Sequence, residues 1–292
     1  MVKVDYPSGL ASSSLPMFLV LIMIGLVLIA PTASADVTNA PVRVFVIGDS
    51  TVLNFGSIVG WGQEIYRYFD HGVLVRDDAF PGESAKTFIT HGRWAGVLNQ
   101  LSTNDYVLIQ FGHNDSHNPI YREATIANGD YKTYLQEYID GSRAKGAIPV
   151  FVTPMHRRNF DTNGTLLSYI VDTKGYRDDL APYVAAMKQV AASNHVPCVD
   201  LFASSGVYMQ QLGNGLVYSS LMFHGDGGST HFNRKGASIM AALVARGLSE
   251  VLPRPSTLAN SCDLAQHLRI RIIRSQLPVD EPSLNKYEPP SP

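Results

Sequence analysis

The chemistry that this sequence could perform starts from a serine. Gly48-Asp49-Ser50 directly follows a short apolar run, and a serine on a tight turn there would expose its hydroxyl and its own backbone N–H. The string is short, and taken alone it is more typical of a serine that caps the start of a helix. Because a serine hydroxyl is a weak nucleophile at neutral pH, a nucleophilic Ser50 requires an adjacent base.

Three further segments contain groups of the kind that such a serine would need. Residues 78–84 place Gly82 where backbone can approach a ligand closely, and residues 111–115 place the amide of Asn114 after another apolar run. His231 comes just before a long helical pattern, and its imidazole, with an ordinary pKa of about 6.5, suits a general base near neutrality. Together, these segments favour a serine activated by histidine over a simple helix cap.

The hydrophobic pattern predicts the scaffold that would position these residues. Five short apolar runs alternate with segments of helical spacing, which predicts a parallel sheet covered on both faces. We therefore predict an α/β fold, a three-layer α/β/α sandwich with a five-stranded parallel sheet, in which ligands bind beyond the carboxyl ends of the strands. The strands are predicted at residues 42–47, 73–75, 106–111, 148–152 and 197–201, and the helices at 62–69, 93–101, 131–145, 180–194 and 235–252.

Several strings occur in the order expected of one enzyme family: GDSTV, GWGQEI, FGHND, AKGAIPVFVTPMHRRNF and THFNRKGA. With these strings, residues 42–252 resemble the SGNH/GDSL hydrolases and, within them, the rhamnogalacturonan acetylesterases and related pectin-deacetylating enzymes. The resemblance implies a flavodoxin-like α/β/α fold and a serine esterase that requires no cofactor and no metal. The remaining histidines show no metal-ligand spacing.

The resemblance also implies roles for individual residues. Ser50 would attack an ester carbonyl after His231 takes its proton, and an acetyl-serine intermediate would then be hydrolysed. The backbone N–H groups of Ser50 and Gly82 and the side chain of Asn114 would form the oxyanion hole, where each donor stabilises the transition state by roughly 3 kcal/mol.

One position departs from the family pattern. The family has an aspartate three residues before the histidine, but Gly228 stands there, and Asp226 lies five residues before His231. The two glycines that follow Asp226 could let the loop bulge so that the carboxylate still reaches the ring. Alternatively, a backbone carbonyl orients His231 and Asp226 stays in solvent. Loss of an orienting carboxylate would cost as much as ~10⁴ in rate.

The substrate expected from the resemblance is an acetylated plant cell-wall polysaccharide, with pectic rhamnogalacturonan first. His113 could contact the substrate or be packed by hydrogen bonds. Arg157 and Arg158 could pair with galacturonate carboxylates or be solvated charges, and Trp61 could stack on a sugar or be buried. Two other functions remain open: a lipase, arylesterase or thioesterase of the same superfamily, and a secreted saccharide-binding protein that has lost catalysis.

The ends of the chain predict export and a single domain. An apolar run from Leu15 to Ala30 precedes Ala33-Ser34-Ala35, which is the layout of a signal peptide at residues 1–35, although an uncleaved anchor has a similar length. We expect a secreted hydrolase domain at 36–255 and a C-terminal extension at 256–292, disordered from about 275. In an oxidising compartment Cys198 and Cys262 could pair. The net charge of −2 gives no reason to expect nucleic acid or a membrane surface as partner, and the oligomeric state is open.

Overall fold

A computed structural model describes residues 41–253 and 263–269. The predicted signal peptide, the tail from about 275 and Cys262 lie outside these residues, so those predictions, including the pairing of Cys198 with Cys262, stay predictions. In the described residues no helix is both long and apolar enough to cross a membrane. The strands are β1 Val42–Gly48, β2 Val73–Asp77, β3 Tyr106–Gln110, β4 Ile148–Val152, β5 Tyr169–Val171, β6 Arg177–Asp179 and β7 Cys198–Val199. The helices are α1 Ala85–Thr90, α2 Arg93–Leu98, α3 Asp130–Ala144, α4 Ala181–Ser193, α5 Leu201–Leu221 and α6 Arg234–Val251.

The central sheet has five parallel strands in the order β2-β1-β3-β4-β7. The predicted α/β class and the five-stranded parallel sheet are therefore confirmed. Strand β3 is buried along its whole length because helices cover both of its faces, whereas the edge strand β2 alternates between half-buried and exposed residues. The order places β1 beside β3, so the turns that follow these two strands meet at the same edge of the sheet.

Two hydrophobic clusters fill the spaces on either side of this sheet. One contains residues of α5 and α6, and the alanine-rich face of α6 lets that helix lie close to the strands. The other contains residues of α1, α2, α3 and α4, with Phe88, Phe111 and Tyr138 in contact at its centre. The helices thus form a layer on each face, as a three-layer sandwich requires.

Several elements differ from the sequence-based prediction. Residues 62–69, expected as one helix, form two 3₁₀ turns at Trp61–Gln63 and Ile65–Tyr68. The β5–β6 hairpin and α5 were not predicted, and α5 is kinked at Gly213, whose φ of 76° is left-handed. The fifth strand is only Cys198–Val199, because α5 begins at Leu201, inside the range expected for that strand.

The core continues past the domain boundary predicted at residue 255. In the segment 263–269, Leu264 and Leu268 are buried against the main cluster, and Leu268 forms a β-bridge with Phe69. The ring of His267 also lies 2.8 Å from Asp70 Oδ1. The segment follows a stretch that carries two prolines and a cysteine, and its two leucines return to the apolar surface. Part of the predicted extension therefore belongs to the domain.

Candidate active site

Ser50 lies in the turn that follows β1. The carboxylate of Asp49 accepts hydrogen bonds from the backbone N–H of Thr51 at 2.9 Å and from its hydroxyl at 2.7 Å, which fixes the turn from inside. Ser50 is 9% exposed, and its hydroxyl Oγ lies 2.9 Å from His231 Nε2 although the two residues are 181 positions apart in sequence. The fold therefore brings the predicted nucleophile and the predicted base into hydrogen-bonding contact.

The carboxylate of Asp226 reaches the other nitrogen of the same ring. Asp226 Oδ2 lies 2.6 Å from His231 Nδ1, and Asp226 Oδ1 accepts from the backbone N–H of Gly228 at 2.9 Å. Gly227 and Gly228 have φ values of 82° and 64°, the left-handed region that suits glycine, and they form the bulge that displaces the aspartate by two residues. A carboxylate at Nδ1 favours the tautomer with the proton there, which leaves Nε2 free to accept from Ser50.

Three donors surround the space beside the Ser50 hydroxyl. Within residues 41–253 and 263–269, the backbone N–H groups of Ser50 and Gly82 donate to no protein acceptor. The side-chain nitrogen of Asn114 donates to Glu83 O at 2.7 Å, and it carries a second hydrogen that this bond does not use. Gly82 has a φ of 81°, and a side chain added there would be strained even though no atom blocks the space. The three groups line one cleft, as an oxyanion hole requires.

Buried polar side chains form the floor beneath this turn. The ring of His113 lies 3.4 Å from Asp49 Oδ2 and donates through Nε2 to Met155 O at 3.1 Å. Burial raises the pKa of Asp49, but the adjacent His113 ring and the hydrogen bonds from Thr51 outweigh it and lower that pKa. Asp115 is fully buried, which raises its pKa to about 7, and it accepts from the backbone N–H of Ala85 at 3.1 Å.

The three residues considered for substrate contact all have partners within the protein. His113 is buried between Asp49 and Met155, so the packed role is the one observed. Arg157 is 2% exposed, so it is not a solvated charge, and its guanidinium donates to Asp178 Oδ1 at 3.0 Å and to His113 O at 2.7 Å. Arg158 donates to Gly228 O and Asn214 Oδ1. His113 and Arg157 nevertheless line the cleft beside Ser50, so contact of these residues with a substrate stays a prediction.

The cleft above Ser50 has a volume of about 450 Å³ and includes residues that sequence reasoning did not identify. Asn54 donates to Ser50 O at 3.3 Å, and its position four residues after Ser50 could have indicated from the sequence that it lies near the nucleophile. No sequence feature indicated Ile170, which lies in the unpredicted hairpin. Trp61 is fully buried and donates to Gln110 Oε1 at 2.7 Å, so it offers no face to a sugar. The residues not named earlier that line the cleft are Asn54, Pro81, His117, Ile170, Ser229 and Thr230.

A serine, a histidine and a carboxylate in successive contact at the carboxyl edge of a parallel α/β sheet are the arrangement of a serine hydrolase. Among the described residues, no group of three or more histidine, cysteine or acidic side chains is arranged to hold a metal ion. Residues 46–239 match the GDSL-like Lipase/Acylhydrolase family, and the chain belongs to that family. It is therefore a carboxylic ester hydrolase.

The chain is also similar to individual proteins of known name. The chain is 35% identical over 213 residues to the probable rhamnogalacturonan acetylesterase YesY of Bacillus subtilis, covering 72% of this chain and 93% of the relative. It is 36% identical over 227 residues to the rhamnogalacturonan acetylesterase RhgT of the same organism, covering 72% and 91%. The crystal structure of the Bacillus subtilis protein YxiM aligns with a TM-score of 0.61 at 29% identity, over 72% of this chain and 56% of that one.

Proposed function

We propose that this protein is an exported acetylesterase that removes acetyl groups from rhamnogalacturonan through an acetyl-enzyme at Ser50. The observation that carries the proposal is the continuous contact from Ser50 Oγ through the imidazole of His231 to the carboxylate of Asp226, at 2.9 Å and 2.6 Å. A serine hydroxyl needs such a base to become a nucleophile, and the base needs a partner that fixes its orientation.

In the first step, Ser50 Oγ forms a bond to the acetyl carbonyl carbon while its proton moves to His231 Nε2. The negative charge that develops on the carbonyl oxygen is stabilised by the N–H groups of Ser50 and Gly82 and by the free hydrogen of Asn114. The bond to the sugar oxygen then breaks, and this oxygen takes the proton from His231. Asp226 stabilises the imidazolium during the step.

The second step reverses these roles with water as the nucleophile. His231 Nε2 takes a proton from water as the water oxygen bonds to the acetyl carbon. The bond to Ser50 Oγ breaks, Oγ regains the proton from His231, and acetate leaves. Each of the two steps uses the same three donors and the same base, so the chain's own residues supply every proton transfer.

Two observations support an acetylated saccharide as substrate. The relative that matches over 91% of its own length is named as a rhamnogalacturonan acetylesterase, and the one that matches over 93% as a probable one. The cleft is open, and ten of the thirteen residues that line it carry polar side chains, including Asn54, His117, Ser229 and Thr230. Such groups hydrogen-bond sugar hydroxyls, whereas a long acyl chain requires a deep apolar pocket.

The contact of Asp226 with His231 also bears on the alternative hypothesis, a saccharide-binding protein that has lost catalysis. That hypothesis depended on a carboxylate that fails to reach the imidazole ring. Since Oδ2 lies 2.6 Å from Nδ1, the displaced aspartate gives no reason to expect impaired catalysis.

The proposal includes export because residues 1–35 have the layout of a signal peptide. Mass spectrometry of the secreted protein tests it, and we expect a product that begins near Asp36.

The substrate is tested by measuring acetate release from acetylated rhamnogalacturonan, acetylated xylan and a long-chain ester. We expect the highest kcat/KM on the first, and Ser50→Ala removes turnover on all three while leaving the unfolding temperature within a few degrees. Preference for the long-chain ester would overturn the saccharide assignment. Turnover retained in Ser50→Ala would overturn the mechanism.

A further inference from the structure

Arg158, from another part of the fold, contacts the loop that carries Asp226 and His231 at several points. Arg158 lies in the segment that follows β4, and its backbone N–H donates to Ser229 O at 2.7 Å. Its side chain donates through Nε to Gly228 O and through Nη2 to Gly227 O at 3.4 Å. A single residue thus contacts three consecutive carbonyl groups between Asp226 and His231.

The guanidinium of Arg158 is itself fixed by α5. Arg158 Nη1 donates to Asn214 Oδ1, and the guanidinium carbon Cζ lies 4.9 Å from the centre of the Tyr218 ring. Asn214 and Tyr218 belong to the part of α5 that follows the kink at Gly213, so the kink aims this part of the helix at the loop. We call Arg158, Asn214 and Tyr218 the arginine clamp.

Tyr218 also supports the beginning of the same loop. Its ring stacks on His224 with centres 4.3 Å apart, and its carbonyl accepts from His224 Nε2 at 2.8 Å. A side chain added at Gly228 would meet the Tyr218 ring at 2.6 Å, so Gly228 lies directly against that ring. The clamp therefore contacts the loop both before and after Asp226.

Gly228 connects the clamp to the proposed catalytic residues. Its N–H donates to Asp226 Oδ1 at 2.9 Å, while its carbonyl accepts from Arg158. Two successive glycines have more backbone freedom than any other pair, so ordering them costs more conformational entropy. Bonds to the carbonyls of both glycines select the one loop conformation in which Asp226 Oδ2 faces His231 Nδ1.

We propose that Arg158 is a positioning residue that holds the displaced carboxylate of Asp226 against His231, and that it does not bind the uronates of a substrate. This inference rests on the proposed roles of Ser50, His231 and Asp226. The side-chain donors of Arg158 are directed at Gly227, Gly228 and Asn214. This explains why an arginine, with its planar fork of donors, stands at this position.

The test is a double-mutant cycle on an aryl acetate and on acetylated rhamnogalacturonan. Arg158→Ala in the otherwise unchanged protein should lower kcat by roughly 10- to 100-fold with KM changed less than about twofold, because small displacements of a reacting group cost rate rather than binding. In the Asp226→Asn background the same substitution should lower kcat by less than about threefold, since the contact that it positions is already lost.

Two further variants keep the test decisive if Arg158→Ala unfolds. Arg158→Lys keeps one donor and should recover part of the lost kcat, and Asn214→Ala removes one anchor of the guanidinium and should cost less, roughly two- to fivefold. Arg143→Ala is the matched control, because Arg143 also donates to a backbone carbonyl of another segment, that of Asn194, and should leave kcat unchanged.

Equal losses in both backgrounds, or a raised KM with kcat unchanged, would overturn the positioning role and leave the proposed function standing. The two proposals are separated by Ser50→Ala assayed alongside. If that variant keeps its turnover, the proposed function fails, and the role of Arg158 fails with it.

Discussion

The two halves of the active site are built in different ways. Ser50 and Asn114 stand on turns directly after β1 and β3, where the sheet itself brings them together, and each is 9% exposed. His231 and Asp226 stand on a more exposed loop with two left-handed glycines, held mainly by side-chain contacts to Arg158 and Tyr218. We call these the sheet half and the loop half. The sheet fixes the first, whereas the second depends on side-chain contacts together with single backbone bonds, from Arg158 to Ser229 O and from Phe223 to His231 O.

This difference teaches where the site can change without losing its geometry. In the sheet half, a shift of one residue would move the strand side chains to the other face of the sheet, and the turns that hold Ser50 and Asn114 would move with the strands. The loop half accommodates two extra residues between the aspartate and the histidine because glycines absorb the change and a clamp restores the contact.

The largest effect is expected from the loop half. Asp226→Asn keeps the size of the side chain but removes the charge that stabilises the imidazolium, and it should lower kcat by up to ~10⁴-fold with little change in thermal stability. Initial rates on an aryl acetate measure it. Asp161→Asn is the matched control, because Asp161 also accepts from backbone N–H groups of its own turn, at 2.9 Å and 2.8 Å.

A loss of less than about tenfold for Asp226→Asn would contradict a catalytic role for the displaced carboxylate. It would instead favour a backbone group as the partner that orients His231.

A smaller loss is expected when the sheet half loses one donor. Asn114→Ala removes the amide that faces the oxyanion, and kcat should fall by about 10²- to 10³-fold. KM should change little because the donor acts mainly in the transition state. Steady-state kinetics on acetylated rhamnogalacturonan measure both constants, and a raised KM at unchanged kcat would assign Asn114 to substrate binding instead.

A third prediction concerns the addition of one methyl group to the loop half at Gly228. In Gly228→Ala the new carbon strains a φ of 64° and would meet the Tyr218 ring at 2.6 Å, so the loop must shift and kcat should fall by roughly tenfold. Gly164→Ala is the control, because Gly164 has a φ of 80° with open space around it. Both variants should lose about 1–2 kcal/mol of stability, but only the first should lose rate.

The smallest effect on rate is expected at Asp115, in the floor of the sheet half, where a change should instead alter stability measurably. Burial raises the pKa of Asp115 to about 7 from an ordinary 3.8. Between these values the folded protein binds a proton that the unfolded chain does not, so this contribution to stability is full below about pH 4 and is lost as the pH rises toward 7.

Asp115→Asn removes that dependence because an amide does not titrate. The free energy of unfolding of the unchanged protein minus that of the variant should decrease, on the order of 3 kcal/mol, between pH 4.5 and pH 7.5. Urea unfolding at the two pH values measures the difference. A difference that is the same at both would show that Asp115 is ionised throughout.

Most of the sheet half could be predicted from the sequence. The five strands were visible as apolar runs, and the residues that follow the first and third of them are Ser50 and Asn114. The prediction works here because strand pattern and sheet edge together determine which side chains meet. The length of the fifth strand was overestimated, since the prediction did not use Asp200 as the residue that caps the start of α5 at Leu201.

The loop half could be predicted only in part. The glycines after Asp226 indicated a bulge, but the contact that selects one conformation comes from Arg158 and from α5, which the pattern did not reveal. For Arg157 and Arg158 the sequence left a substrate carboxylate and a solvated charge open, because an arginine after a strand has the same appearance whether its partner is a ligand, water or a carbonyl group. Such partners depend on tertiary contacts that sequence spacing does not encode.

The joining of the two halves at Ser50 and His231 is tested most directly by covalent labelling with an organophosphorus ester, followed by peptide mass spectrometry. The unchanged protein should carry one adduct, on Ser50, and His231→Ala should carry none after the same time. An adduct on another serine, or equal labelling of Ser50 in the His231→Ala variant, would contradict activation of this serine by this imidazole.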